Sequence, residues 1–216
     1  MQKILFSCCA FLVFSARAFC QNQFTEGEII YDVRITAADA KDAKVNTGTL
    51  TILIKGANVA KELNLQSGFR NTIIFSQQEK TAYSLRKVDN VPYAIQLDPG
   101  QLKRKQEKCA QLQRQELESD RKTILDFAAE KVKLSCNEAN PVFVYYTKTW
   151  TIDNPHLFQD FPSFTYLPLA YEVKNEDGSI LNFELKKIEA KPIDNRAFSV
   201  PAGYKKVSQQ EYKNKL

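Results

Sequence analysis

The stretch PVFVYYTKTWTIDNPHLFQDFPSFTYLPLAYEVKNEDGSILNFELKKIEA, residues 141–190, decides the fold class. Val142, Val144, Tyr146, Trp150 and Ile152 share one face of an extended segment, because alternate strand residues point the same way. Leu169, Tyr171 and Val173 alternate up to Asn175-Glu176-Asp177-Gly178. Leu181, Phe183 and Leu185 alternate away from it, opposite Asn182, Glu184 and Lys186. Asp-Gly between two period-two runs predicts a hairpin, since Gly tolerates positive φ. Together these runs predict a curved antiparallel sheet with one apolar, aromatic-rich face.

Working outward, the same short alternating runs recur along the first half of the chain. Ile29, Tyr31, Val33 and Ile35 fall together, as do Leu50, Ile52 and Ile54; Val59, Lys61 and Leu63 alternate more weakly. Phe69 to Phe75, Thr81 to Leu85 and Val91 to Leu97 complete the series, the pattern of a meander, sandwich or barrel. Pattern resumes from Thr123 to Leu134, read as strand. From Gln101 to Lys122 no β-branched residue occurs and Gln, Lys, Arg and Glu dominate, which by propensity predicts one long helix capped by Asp98 and Pro99. Its apolar stripe is thin (Leu102, Cys109, Leu112 and Leu117), so it reads as a solvated connector or as a lid whose Leu102 and Leu112 face the sheet. The loop from Asn154 to Pro168 carries three prolines and four aromatics and must dock on something, with Phe143 and Tyr145 the expected surface. The tail from Lys205 is expected to fray. The fold class is therefore mainly β (α+β), a strongly curved antiparallel sheet with one long helix.

Composition sets the compartment. Met1-Gln2-Lys3 followed by the apolar run Ile4 to Phe14, then Ala16-Arg17-Ala18, reads as a signal peptide over residues 1–20, too short to span a bilayer. The rest, residues 21–216, is read as a single domain, a periplasmic or secreted monomer that does not span the membrane. Lipidation is disfavoured because bulky Phe19 precedes Cys20. Without Lys3 and Arg17 the chain has 28 basic and 25 acidic residues, a net charge of +3, too little to argue for nucleic acid. Outside the leader only Cys109 and Cys136 remain; a disulfide and two separate thiols both fit an exported chain. His156 is the only histidine, and no CxxC or HxxxH occurs, so neither a metal nor a cofactor is expected. No G-x-S-x-G, P-loop or GxGxxG is present, and the reading is non-enzymatic.

Three segments carry a resemblance. Lys122-Thr123-Ile124-Leu125 running into Lys131-Val132-Lys133-Leu134 is similar to a "KTI-x-G" strand, with Asp126 where Gly is usual. Thr149-Trp150-Thr151 resembles a Trp-centred segment before a proline-rich loop. Leu167-Pro168-Leu169-Ala170-Tyr171-Glu172 and Phe198 to Tyr204 resemble an "LPLEYE" strand and an "F-x-(V/I)-P-x-GY" ending. These resemble the DUF4412 domains exported by Bacteroidetes, grouped with the LolA/LolB lipoprotein-carrier superfamily. The resemblance implies a half-barrel with a helical lid and an apolar concave face that holds lipid or lipoprotein acyl chains. On the strand pattern, Val144, Tyr146, Trp150, Leu169, Tyr171, Leu181, Phe183 and Leu185 are the expected ligand-facing residues. An envelope interaction module with a filled core is the alternative. Tyr146→Phe is expected to be nearly silent unless its hydroxyl reads a headgroup.

Overall fold

The computed structural model describes residues 22–37, 45–78, 80–98, 100, 109, 112–136, 141–154, 156–158, 161, 164–175 and 177–214. Alternation builds the strands β1 (Asn22–Gln23), β2 (Glu26–Thr36), β3 (Asn46–Lys55), β4 (Asn58–Leu65), β5 (Arg70–Ser76), β6 (Thr81–Val88) and β7 (Val91–Leu97). There follow β8 (Gln113–Ile124), β9 (Phe127–Ser135), β10 (Val142–Thr151), β11 (Tyr166–Lys174), β12 (Ile180–Glu189), β13 (Lys205–Ser208) and a short helix α1 (Gln209–Lys213). The thirteen strands among the described residues form one open sheet in the order β13-β7-β6-β5-β4-β3-β2-β12-β11-β10-β9-β8, with β1 added beside the end of β10. Pairing is antiparallel except for β1 with β10 and β13 with β7.

The register follows the hydrophobic pattern. Val132, Val144, Tyr171, Phe183, Val33, Gly48 and Leu65 are consecutive partners across seven strands. A slip of one residue would turn every apolar member of that row to the other face, which is why burial holds the pairing. Gly48 is required within it, because a Cβ there would sit 2.1 Å from the Asn64 carbonyl oxygen. The β11–β12 hairpin closes as expected: Gly178 takes φ +81, and the Asp177 carboxylate accepts from the backbone N–H and hydroxyl of Ser179.

Two clusters hold the sheet. The larger covers the apolar face from β5 and β6 round to β9, with Phe24, Ile152, Leu157, Phe158, Phe161 and Phe164 laid upon it. A flat sheet would spread β5 to β9 over about 33 Å at 4.8 Å per strand. One loop reaches across that width, from Phe75 on β5, against which the His156 ring stacks, to Tyr146 on β10, against which Phe164 packs. The smaller cluster lies on the opposite face of β4 to β7, where Ala60, Ile74, Tyr83 and Leu85 are covered by Ile193 and Phe198, with Val200 and Tyr204 packed alongside.

Four expectations are corrected. The helix expected over residues 101–122 is a strand from Gln113 onward; residues 101–108, 110 and 111, and with them Leu102, lie outside the described residues, as does the leader. β8 is an edge strand, and charged edges are how sheets avoid pairing with other chains, so its composition mimics a solvated helix. The run from Thr123 to Leu134 is not one strand: Leu125 takes φ +51 and turns β8 into β9. The loop 154–168 covers the apolar face, leaving Phe143 40% exposed on the other. The tail is regular through Asn214, the last described residue: Lys205 to Ser208 pair with β7, and Ser208 and Glu211 form a capping box for α1.

Candidate apolar site and its aromatic plug

The site is built from strands β10, β11 and β12 and the segment that leaves β10. Tyr171 and Phe183 are direct cross-strand partners, and their rings stack 4.5 Å apart. Tyr31 stands edge-on to Tyr171 at 5.7 Å and donates its hydroxyl to the Pro168 carbonyl at 2.9 Å. With no exposed surface, that phenol is pushed well above its ordinary pKa by burial alone and serves as a neutral donor.

The plug is the described part of residues 154–164. The Asn154 carboxamide donates to Gly56 O and accepts from the His156 N–H, which fixes the first turn. Phe158 and Phe161 stack 5.1 Å apart, and Phe161 meets Tyr171 edge-on at 5.4 Å. Phe164 lies edge-on to Tyr146 at 5.3 Å. Successive tight turns, Leu157 N–H to Asn154 O, Phe161 N–H to Phe158 O and Phe164 N–H to Phe161 O, keep this segment from adding a strand. Its aromatic side chains therefore pack onto the apolar face of the sheet. The plug is fastened from the far side by Lys61 on β4, whose Nζ donates to the carbonyls of His156 at 2.9 Å and Leu157 at 2.8 Å. The His156 ring stacks on Phe75 at 4.7 Å. Burial, with the Lys61 cation adding to it, holds the imidazole below its ordinary pKa and so in the neutral form.

A charged cap closes the β8 end. The Arg114 guanidinium lies 5.2, 5.5 and 5.3 Å from the rings of Tyr146, Phe164 and Tyr166. It donates to Glu116 at 2.5 Å and to the Tyr146 hydroxyl at 2.8 Å. That hydroxyl has one proton to donate, and Glu116 at 3.0 Å and Glu130 at 3.1 Å both lie within its reach. The Lys148 ammonium, and then the Tyr146 hydroxyl, hold the Glu130 carboxyl below the usual range.

The expected ligand-facing residues divide. Val144, Tyr146, Leu169, Tyr171 and Leu185 are buried under the plug. Trp150 is half-buried, edge-on to Phe24 at 5.8 Å. Leu181 and Phe183 stay half-buried and open into a cavity of about 250 Å³. Leu50, Leu63, Ile73 and Val173 continue its apolar wall, with Lys61, Asn71 and Asn175 at its polar margin. Leu112, expected on a lid, precedes β8 and packs against the edge of the apolar cluster. Cys109 and Cys136 are joined as a disulfide, with Cα atoms 4.6 Å apart, tying the approach to β8 to the end of β9. Two residues that hold the plug carry little local signal of that role. Lys61 was legible as a lysine at an inward register position between Val59 and Leu63. Arg114 was hidden by its assignment to a helix.

The fold and site define a class: one large, open, mainly antiparallel sheet whose apolar face is occupied by the chain's own aromatic loop. No family model matches the chain, and neither does any curated protein sequence. Among solved structures it is similar to an uncharacterised conserved protein from Thermus thermophilus, at 10% identity and TM-score 0.52, over 85% of this chain and 91% of that one. It also aligns with a LolA-superfamily protein from Nitrosomonas europaea, at 12% identity and TM-score 0.38 over 83% of this chain and 93% of that one. A third is the Mycobacterium tuberculosis lipoprotein LppX, at 7% identity and TM-score 0.40 over 78% and 89%. The first likeness establishes a common fold and nothing of activity; the other two are too distant to carry an argument.

Proposed function

We propose that this protein is an exported, non-enzymatic carrier or sensor, acting as a monomer in the periplasm, that holds a lipid or lipoprotein acyl chain on its apolar face. The observation that carries this reading is the cavity of about 250 Å³ at the end of the plug, walled by half-buried Leu50, Leu63, Ile73, Val173, Leu181 and Phe183. It lies just below the usual range of small-molecule pockets, so it accepts a short stretch of chain as it stands. Displacing Phe158 would extend it along the face already lined by Tyr171. Each methylene buried there contributes about 0.8 kcal/mol. The resemblance to the LolA/LolB superfamily and to DUF4412 domains supports this reading through Leu167–Glu172, which lies in β11, and through residues 198–204, which cover the smaller cluster.

Native mass spectrometry and lipid extraction of the purified protein test it, together with displacement of a fluorescent fatty acid. Binding that is lost in Leu181→Asp, with the fold retained, supports the carrier. Protein that is always empty and indifferent to the probe overturns it. One observation favours a second reading: Phe161 is wholly buried, so much of the face is already filled. On that reading the protein is an envelope interaction module, and cross-linking from the periplasm recovers one stoichiometric partner instead of lipid.

A further inference from the structure

The face opposite the plug carries a groove of about 980 Å³, lying across β4, β3, β2, β12, β11, β10 and β9. Register explains its form. One wall is the cross-strand row Lys131, Tyr145, Glu184, Asp32, Thr49 and Asn64, interrupted only by Ala170. The other wall holds Phe143, Glu172, Asn182, Arg34 and Thr47. The two rows stand two residues apart along each strand, about 7 Å, and the intervening row supplies the floor. The groove crosses six strand spacings, from β4 to β9, on that face of the sheet.

Its chemistry narrows the occupant. Three cations (Arg34, Lys131, Lys186) and three anions (Asp32, Glu172, Glu184) line it; Lys186 is paired with Asp32 at 2.9 Å, Lys131 with Asp120 at 2.5 Å and Glu184 with Lys122 at 3.9 Å. A polyanion gains nothing from so balanced a lining. The floor is the middle of a sheet whose strands are paired on both sides, so their backbone groups are taken and cannot template an added peptide strand. An acyl chain would desolvate the charged walls at a cost it cannot return. What remains is a neutral, linear, hydroxyl-rich chain. Amides, carboxylates, guanidinium and hydroxyls along both walls can donate to and accept from successive hydroxyls, and Phe143, 40% exposed with the Lys131 ammonium 5.6 Å from its ring, adds apolar surface.

We infer that this transverse groove is a binding site for a neutral linear oligosaccharide, separate from the apolar site on the other face. The test is calorimetric titration of the full exported chain with hexasaccharides of β-1,4-linked glucose, mannose and N-acetylglucosamine, and with a polygalacturonic acid fragment and an unstructured peptide as competing classes. The expected result is saturable binding of at least one neutral series, weakened about tenfold or more by Phe143→Ala and also by Asn182→Ala. Both side chains are surface positions, and circular dichroism verifies that the variants fold. Leu181→Asp should leave saccharide binding intact while abolishing uptake of the fatty-acid probe, which separates this inference from the carrier reading. Binding of none of the neutral chains, binding only of the acidic fragment or the peptide, or binding unchanged by both variants overturns it.

Discussion

His156 is the residue on which the plug turns. Its ring is stacked on Phe75 and its carbonyl is held by Lys61, so a proton added there places a second cation beside the first. Its folded pKa is lowered, so the unfolded chain binds the proton more readily. The stability it contributes is complete above about pH 6.5 and is lost as pH falls below that value. As the only histidine, its Hε1 resonance reports directly: the titration midpoint should lie below that of a model peptide, and Lys61→Met should move it upward. A midpoint at or above the model value would show the ring to be solvated and the plug undocked. Tyr146 gives a second prediction and reverses an expectation from sequence. Removing its hydroxyl takes a hydrogen-bond partner from Arg114, Glu116 and Glu130, which keep their ion pairs, so Tyr146→Phe should cost about 1 kcal/mol in urea unfolding rather than nothing.

Among the elements, the β8–β9 hairpin depends most on its staple. β8 is charged, lies at the edge and pairs on one side only, with β9. The Cys109–Cys136 disulfide closes the open end of that hairpin, while Leu125 turns the other. With a sequence separation of 27 between the cysteines, the chain-entropy model assigns the bond about 3.5 kcal/mol. Cys109→Ser with Cys136→Ser should lower stability by roughly that amount, and amide exchange should show β8 opening before β3 or β12. Uniform exchange across the sheet would mean that the bond restrains nothing local. β8 also holds Arg114 over Tyr146, Phe164 and Tyr166, so its opening should expose the plug to an apolar fluorophore.

At the scale of the molecule, charge pairs rather than a second layer govern behaviour in acid. Lys187, and then Lys191, hold the Glu189 carboxyl down to about 2, and Arg196 holds Asp194 down to about 2. Both pKa values are depressed on folding, so their stabilisation is present above the unfolded carboxylate range, about 4 to 4.5, and is lost as pH falls toward 2. These groups lie on or just after β12, so the acid limb of a thermal-stability profile should steepen between pH 4 and 2 and flatten at high salt. That limb is distinct from the one near pH 6.5 set by His156, and His156→Gln should remove only the upper limb.

The sequence alone determined the strands of the first half, the β11–β12 hairpin and the apolar row through Tyr171 and Phe183, because period-two burial and the Asp-Gly turn are local signals. Tertiary structure decided the rest. Residues 113–122 have helix-like composition, yet pairing with β9 along a charged edge outweighs a propensity worth only tenths of a kcal/mol per residue. Nothing local in residues 154–164 says which face they cover; that depends on the apolar face assembled from distant strands and on a lysine ninety-five residues earlier that fastens them. The polar groove is invisible for the same reason: its walls come from seven strands and exist only once their register is set.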